Sequence, residues 1–466
     1  MLDRIIAQLV LDILPVEYTP RNTDLISCLL TSRTVYATAI GSLHKHVTIP
    51  HSFIFSKYLN HISRYPTLGS ITKRLDFSHF TSLGLGRTRQ HNSDIRNVTC
   101  QTLLRCLDLT PTVQEVLLQE HLDEDLGEAV VQKLFFGLSN LRAVDFCASS
   151  SKSFVDAFSA ALSGPLSPGV SALCIRRLSL HECFTLPSST FEVLLPQLPR
   201  LTHLDVCHTR ITDRALMLIP KTARLTHLNV GRCSQISGEG VVDFLTAHLA
   251  VADLVYLNLS CDVSRYRLLW EADVDRLLSC LPITLRSLNM NGAKIRSHHL
   301  PLLLPLTKHL EELGIGYAEV SMQDINALFA PRQGSKDEVS SEAAKWIPST
   351  LHYLDLTGVP SVTQSSLFSS SCILLDSTTS PLEVLELGDK AISALRGCTN
   401  TNKRLGWVVK ELGRRAWYVR EPKQDAPSGT RGRRSWKMGA IWWGSRKIPV
   451  SYAEVGGLYG HYMFKR

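Results

Sequence analysis

The stretch Leu225-Thr-His-Leu228-Asn-Val230-Gly-Arg-Cys233-Ser-Gln-Ile236-Ser places apolar residues at offsets of three and two, a cysteine three places later and an isoleucine three beyond that. Side chains alternate along an extended chain, so Leu228 and Val230 share a face. The stretch reads as a short strand running into a helix. The same frame begins at Val113, Leu141, Ile175, Leu201, Leu254, Leu285, Leu310, Leu351 and Leu382, with a degenerate further copy at Leu75-Asp-Phe77. Repeats at this period are stacked strand-helix units, none of which buries its apolar side alone.

Numbered from the first leucine, the fourth and sixth positions are expected to point into the stack. The third, fifth and seventh are expected on the opposite, solvated, concave face. That face collects Arg177, His203, His227, Tyr256 and Tyr353 from the third position and Asp205, Asn229, Asn258, Asn289 and Asp355 from the fifth. Polar groups with aromatic anchors suit a protein partner, although a solvated strand face is polar without one. After the strands, Ala215, Leu216 and Ile219, then Val241, Phe244 and Leu245, have helical spacing. Ser321-Met-Gln-Asp324 has the spacing of a capping box.

The repeat resembles the cysteine-containing leucine-rich repeat of many F-box proteins. Leu225 to Ile236 and Ile175 to Leu186, with Cys183, carry its pattern in full; Thr209 and Ala293 replace the cysteine elsewhere. The resemblance implies an α/β fold, a leucine-rich-repeat solenoid or horseshoe over residues 113–395.

Residues 1–50 resemble a small helical F-box. Leu2, Ile5, Ile6 and Leu9 lie at helical spacing, and Asp24-Leu25, Leu29-Leu30, Ser32-Arg33 and Ala39 follow the second half of that pattern. The opening Leu-Pro-x-Glu and the usual tryptophan are missing, and Val35-Tyr36 occupy the latter's neighbourhood. In that family the apolar faces dock on a Skp-type adaptor of a cullin-RING ubiquitin ligase, which implies adaptor contacts at Leu2, Ile5, Ile6, Leu9, Leu25, Leu29 and Leu30. A helical cap for the end of the stack is the other reading. Residues 51–112 read as a transition into the repeats.

Of 466 residues, 44% are hydrophobic and 20% charged, as in a folded protein. Asp3 and Asp12 interrupt any signal-peptide pattern, and no long apolar run appears. The expected setting is cytoplasmic, nuclear or both, with the twelve cysteines reduced, no cofactor and no metal. No hydrolase elbow, phosphate loop, zinc-protease helix or kinase signature is present, so no catalysis is expected. The insertion at 331–345 reads as a surface loop.

From Lys390 onward the chain carries 17 Lys and Arg against 4 Asp and Glu. This balance of +13 leaves the preceding residues at −5 within a total of +8. Five of the seven tryptophans fall in the same region, which is read as a C-terminal cap and tail over 396–466. Leu405, Val408, Val409 and Leu412 suggest one more helix. Arg431, Arg433, Arg434, Trp436, Trp442 and Trp443 fit three readings: a nucleic-acid contact, an anionic membrane surface, or a fold-back cap. The resemblance implies a non-catalytic substrate-recognition subunit of an SCF-type ligase, a monomer within its complex, whose protein substrate is unknown. A repeat scaffold that binds nucleic acid or membrane through the tail is the alternative.

Overall fold

The computed structural model describes residues 2, 5, 6, 26–49, 51–78, 80, 98–163, 172–329, 347–412 and 415–421. Its spine is an open α/β sheet of fourteen strands. Twelve three-residue strands run parallel in chain order: β1 His46–Thr48, β2 Arg74–Asp76, β3 Glu115–Leu117, β4 Ala143–Asp145, β5 Arg177–Ser179, β6 His203–Asp205, β7 His227–Asn229, β8 Tyr256–Asn258, β9 Ser287–Asn289, β10 Glu312–Gly314, β11 Tyr353–Asp355 and β12 Val384–Glu386. Helices or 3-10 turns connect most of them.

Each parallel rung pairs equivalent repeat positions. His203, Leu204 and Asp205 lie opposite His227, Leu228 and Asn229, which lie opposite Tyr256, Leu257 and Asn258. The fourth and sixth positions are fully buried, as in Leu204, Val206, Leu228, Val230, Leu257 and Leu259. Each such side chain contributes about 1.5–3 kcal/mol on leaving water. The helices supply the rest of that core: Val241, Phe244 and Leu245 from Gly238–Ala247, and Val274, Leu277 and Leu278 from Glu271–Cys280. Ser321 and Asp324 form the expected capping box of helix Met322–Ala327.

The sheet begins earlier than the repeat pattern suggests. β1 pairs in register with β2, and β2 with β3, while helices Ser52–Arg64 and Cys100–Leu109 pack beside them, so much of 51–112 is built like the later units.

At the far end the expected helix through Val408, Val409 and Leu412 is instead a hairpin, β13 Trp407–Leu412 and β14 Arg415–Arg420. Helix Thr399–Leu405 stops because Gly406 turns left-handed at φ 69°. The Trp and β-branched residues after it favour a strand. β14 pairs antiparallel with β12, Val384 opposite Val419, and so covers the last parallel edge. Trp407, Trp417 and Tyr418 are fully buried there. The Trp407 indole N–H donates to the Leu375 carbonyl at 3.0 Å, and the Tyr418 hydroxyl donates to Asn402 Oδ1 at 2.9 Å.

Candidate interaction surfaces

The N-terminal helices have a small apolar cluster of their own. Ile6 and Ala39 are buried, with Cys28, Leu29, Val35 and Leu43 partly buried around them. Ser32 caps helix Arg33–Lys45 by accepting the Val35 N–H at 3.3 Å. Ile6 is therefore spent on holding the helices together, which corrects its expected role as a docking contact, whereas Leu29 is only partly buried. Leu2 and Ile5 are exposed, and Leu30 is 84% exposed. Ile26 and Tyr36 are each about half exposed as well; the sequence reading set Tyr36 near the missing tryptophan but counted neither as a contact, though their spacing from Leu30 along the helices was a signal. Leu29, Leu30, Ser32, Arg33 and Tyr36 line a shallow groove. Leu9 and Leu25 lie outside the described residues.

The strand face differs from expectation. Asp205, His227, Asn229, Tyr256, Tyr353 and Asp355 are buried, and only Arg177, His203, Asn258 and Asn289 are partly open. Two causes act together. Rungs in register place each side chain between two neighbours from the same repeat position about 4.8 Å away. The fifth-position Asp or Asn also folds back to accept the backbone N–H two residues on. Asp205 Oδ1 takes Cys207 N at 3.0 Å, Asn229 Oδ1 takes Gly231 N at 3.2 Å, Asn258 Oδ1 takes Ser260 N at 3.0 Å, Asn289 Oδ1 takes Asn291 N at 3.0 Å, and Asp355 Oδ1 takes Thr357 N at 2.8 Å. This column is polar because the turn after each strand needs an acceptor.

Third-position rings stack along the face. The His203 and His227 rings are 3.9 Å apart and within 9° of parallel, and Tyr256 continues the row at 6.0 Å. Burial, then the His227 ring and Arg177, hold the His203 imidazole down at about 3, so that ring is uncharged near neutrality. Asp205 pairs with His181 at 3.0 Å. Burial and then neighbouring Glu386 push the Asp355 carboxyl up to about 7. Trp417, Tyr353, Val384 and Val419 form an apolar cluster at the C-terminal end of the face.

The turn geometry was not legible from the pattern. The eighth position is left-handed in seven copies: Ala148, Glu182, His208, Arg232, Gly292, Tyr317 and Gly358. In six of these, all but Gly358, the N–H donates to the next unit, as from Arg232 to the Ser260 carbonyl at 2.7 Å. The cysteines close the same turns. Cys183 Sγ donates to the Phe146 carbonyl at 3.3 Å and Cys233 Sγ to that of Val206 at 2.9 Å; burial pushes the Cys233 thiol up to about 11 and raises the Cys183 thiol as well. These are inert structural thiols.

Asp275, His298 and His299 can bring one ligand atom each within 4.8 Å. The Arg296 N–H, however, donates to His299 Nδ1 at 2.9 Å, which leaves the ring proton on Nε2, 3.3 Å from the Glu271 carbonyl oxygen. A nitrogen bearing a proton ligates no metal, so His299 serves here as a helix cap. No described helix is long and apolar enough to cross a membrane. Arg431, Arg433, Arg434, Trp436, Trp442, Trp443 and the 331–345 insertion lie outside the described residues.

No family model matches the chain. It is 33% identical over 206 residues to the F-box protein YLR352W of Saccharomyces cerevisiae, an alignment covering 40% of this chain and 25% of that protein. The chain thus spans about a quarter of the length of this curated relative. Among solved structures it is similar to the crystal structure of the yeast Rad7 and Elc1 complex, with a TM-score of 0.44 and 16% identity over 70% of this chain and 79% of that one.

Proposed function

We propose that the chain is a leucine-rich-repeat solenoid that serves, in the cytoplasm, the nucleus or both, as the substrate-recognition subunit of an SCF-type cullin-RING ubiquitin ligase. Its N-terminal helices dock on a Skp-type adaptor, and the sheet holds a protein substrate. The receptor makes and breaks no bond; it raises the local concentration of substrate near the transferred ubiquitin.

One observation carries this reading. The N-terminal helices keep a small core and leave Ile26, Leu30, Tyr36, Leu2 and Ile5 uncovered on the outside. Exposed apolar residues on such helices, with Leu30 and Tyr36 lining one groove, suit a partner that reads amphipathic helices. Similarity to an F-box protein supports the choice of adaptor.

The test is capture of a Skp-type adaptor by the full chain and by a Leu30→Asp, Tyr36→Asp double variant. Both side chains face solvent, so the variant keeps its fold; adaptor capture should drop at least about tenfold, the usual effect of charging an interface anchor. An intact chain that ignores the adaptor, or a variant that captures it equally well, overturns the proposal.

A further inference from the structure

The strand starts carry charge in an order that adaptor docking does not use. Over the first five strands, the last residue before each strand and its first residue read Lys45-His46, Lys73-Arg74, Gln114-Glu115, Arg142-Ala143 and Arg176-Arg177. Backbone hydrogen bonds tie these starts side to side. Lys73 N donates to the Lys45 carbonyl at 2.8 Å, Gln114 N to that of Lys73 at 2.7 Å, Arg142 N to that of Gln114 at 2.8 Å, and Arg176 N to that of Arg142 at 2.7 Å. At about 4.8 Å per step, the row is roughly 19 Å long.

Six cations stand there; by strand alternation Arg74 and Arg177 face away from the other four, and both pair with Glu115, Arg74 at 3.6 Å and also with Asp76 at 3.1 Å. Among the described residues, Lys45, Lys73, Arg142 and Arg176 form no ion pair, and Lys45, Arg142 and Arg176 are exposed. Late in the sheet the same two positions read Glu311-Glu312 and Glu383-Val384. The edge is therefore basic at its N-terminal end and acidic towards its C-terminal end.

We propose that this basic row binds an acidic, extended segment of a protein partner. Like charges held at strand spacing on a fixed backbone repel one another, and a run of carboxylates relieves that repulsion. Arginine forks match carboxylates in geometry as well as in charge. At about 3.3 Å per residue, some six residues of extended chain cover the row. The ten residues of the row include no Phe, Tyr or Trp on which a base would stack, which favours peptide over single-stranded nucleic acid. The inference rests on the receptor reading only in taking the segment to belong to a substrate.

The probe is a fluorescein-labelled peptide of alternating Glu and Ser, titrated with the full chain and followed by anisotropy. Binding should saturate, weaken steeply with salt, and fall at least about tenfold in Arg142→Glu, Arg176→Glu, with a smaller loss in the double alanine variant. Substituting Arg431, Arg433 and Arg434 by Ser should leave it unchanged, and the Arg142→Glu, Arg176→Glu chain should still capture the adaptor. No saturable binding, equal binding by both rim variants, or loss on the tail substitution alone overturns the proposal. So does a single-stranded DNA of equal charge that competes better than unlabelled peptide. If the intact chain takes the peptide but no adaptor, the receptor reading fails and the row stands.

Discussion

Asp355 and His203 lie on the same strand face and respond to pH in opposite directions. The Asp355 carboxyl titrates near 7 in the folded chain, because burial and Glu386 disfavour its charge. Folding therefore favours the protonated acid. The advantage is complete below the unfolded value near 3.9 and is lost as pH rises to about 7. An Asp355→Asn variant, neutral throughout, should gain on the parent from pH 4 to 7 by at most about 1.4 kcal/mol per unit, then level off. Urea midpoints taken across that range check this, and a constant gap would refute it. His203, held near 3 by burial, reverses the sign: its contribution is present above about 6.5 and is lost as pH falls towards 3. His203→Gln should gain on the parent only below pH 6.5, and a gap independent of pH would show that the ring is not desolvated as described.

At the scale of the element, the turn after each strand and the closing hairpin are the decisive pieces. A non-glycine residue in the left-handed region costs about 1–2 kcal/mol. Ala148, at φ 60°, has a side chain too small to repay that through packing. Ala148→Gly should raise stability by up to about 1 kcal/mol in urea unfolding while keeping the N–H bond to the His181 carbonyl; a loss of stability would mean that the turn is set by something other than φ. In the hairpin, Trp407→Ala removes one of the largest buried side chains and should cost about 3–5 kcal/mol. Loss of β13 and β14 altogether would also uncover β12, and light scattering should then report association through that edge. A soluble, equally stable truncation would contradict the capping role.

Legibility in the sequence tracked the periodicity of burial. Leu204 with Val206 and Leu228 with Val230 announced strands because alternate residues enter the core. The turns were opaque because Glu182, His208 and Arg232 are not residues that mark a left-handed position. Val408, Val409 and Leu412 satisfied a helical spacing over too short a stretch to separate it from a strand. Of the candidate surfaces, the exposed leucine at position 30 was readable; the burial of Ile6 and of the fifth-position acids was not, since both depend on neighbours distant in sequence.

On the scale of the whole molecule, the sheet has a helical end with exposed apolar side chains, a basic rim and a last parallel strand covered by β14. Its central claim is that the N-terminal helices meet an adaptor while the sheet stays free for a substrate. Hydrogen exchange of the full chain, measured with and without a Skp-type adaptor, tests this most directly. The account predicts slowed exchange confined to the segment from Leu2 to Lys45, with strands β5 to β11 unchanged. Protection spread over those strands, or none in the N-terminal segment at saturating adaptor, would contradict it.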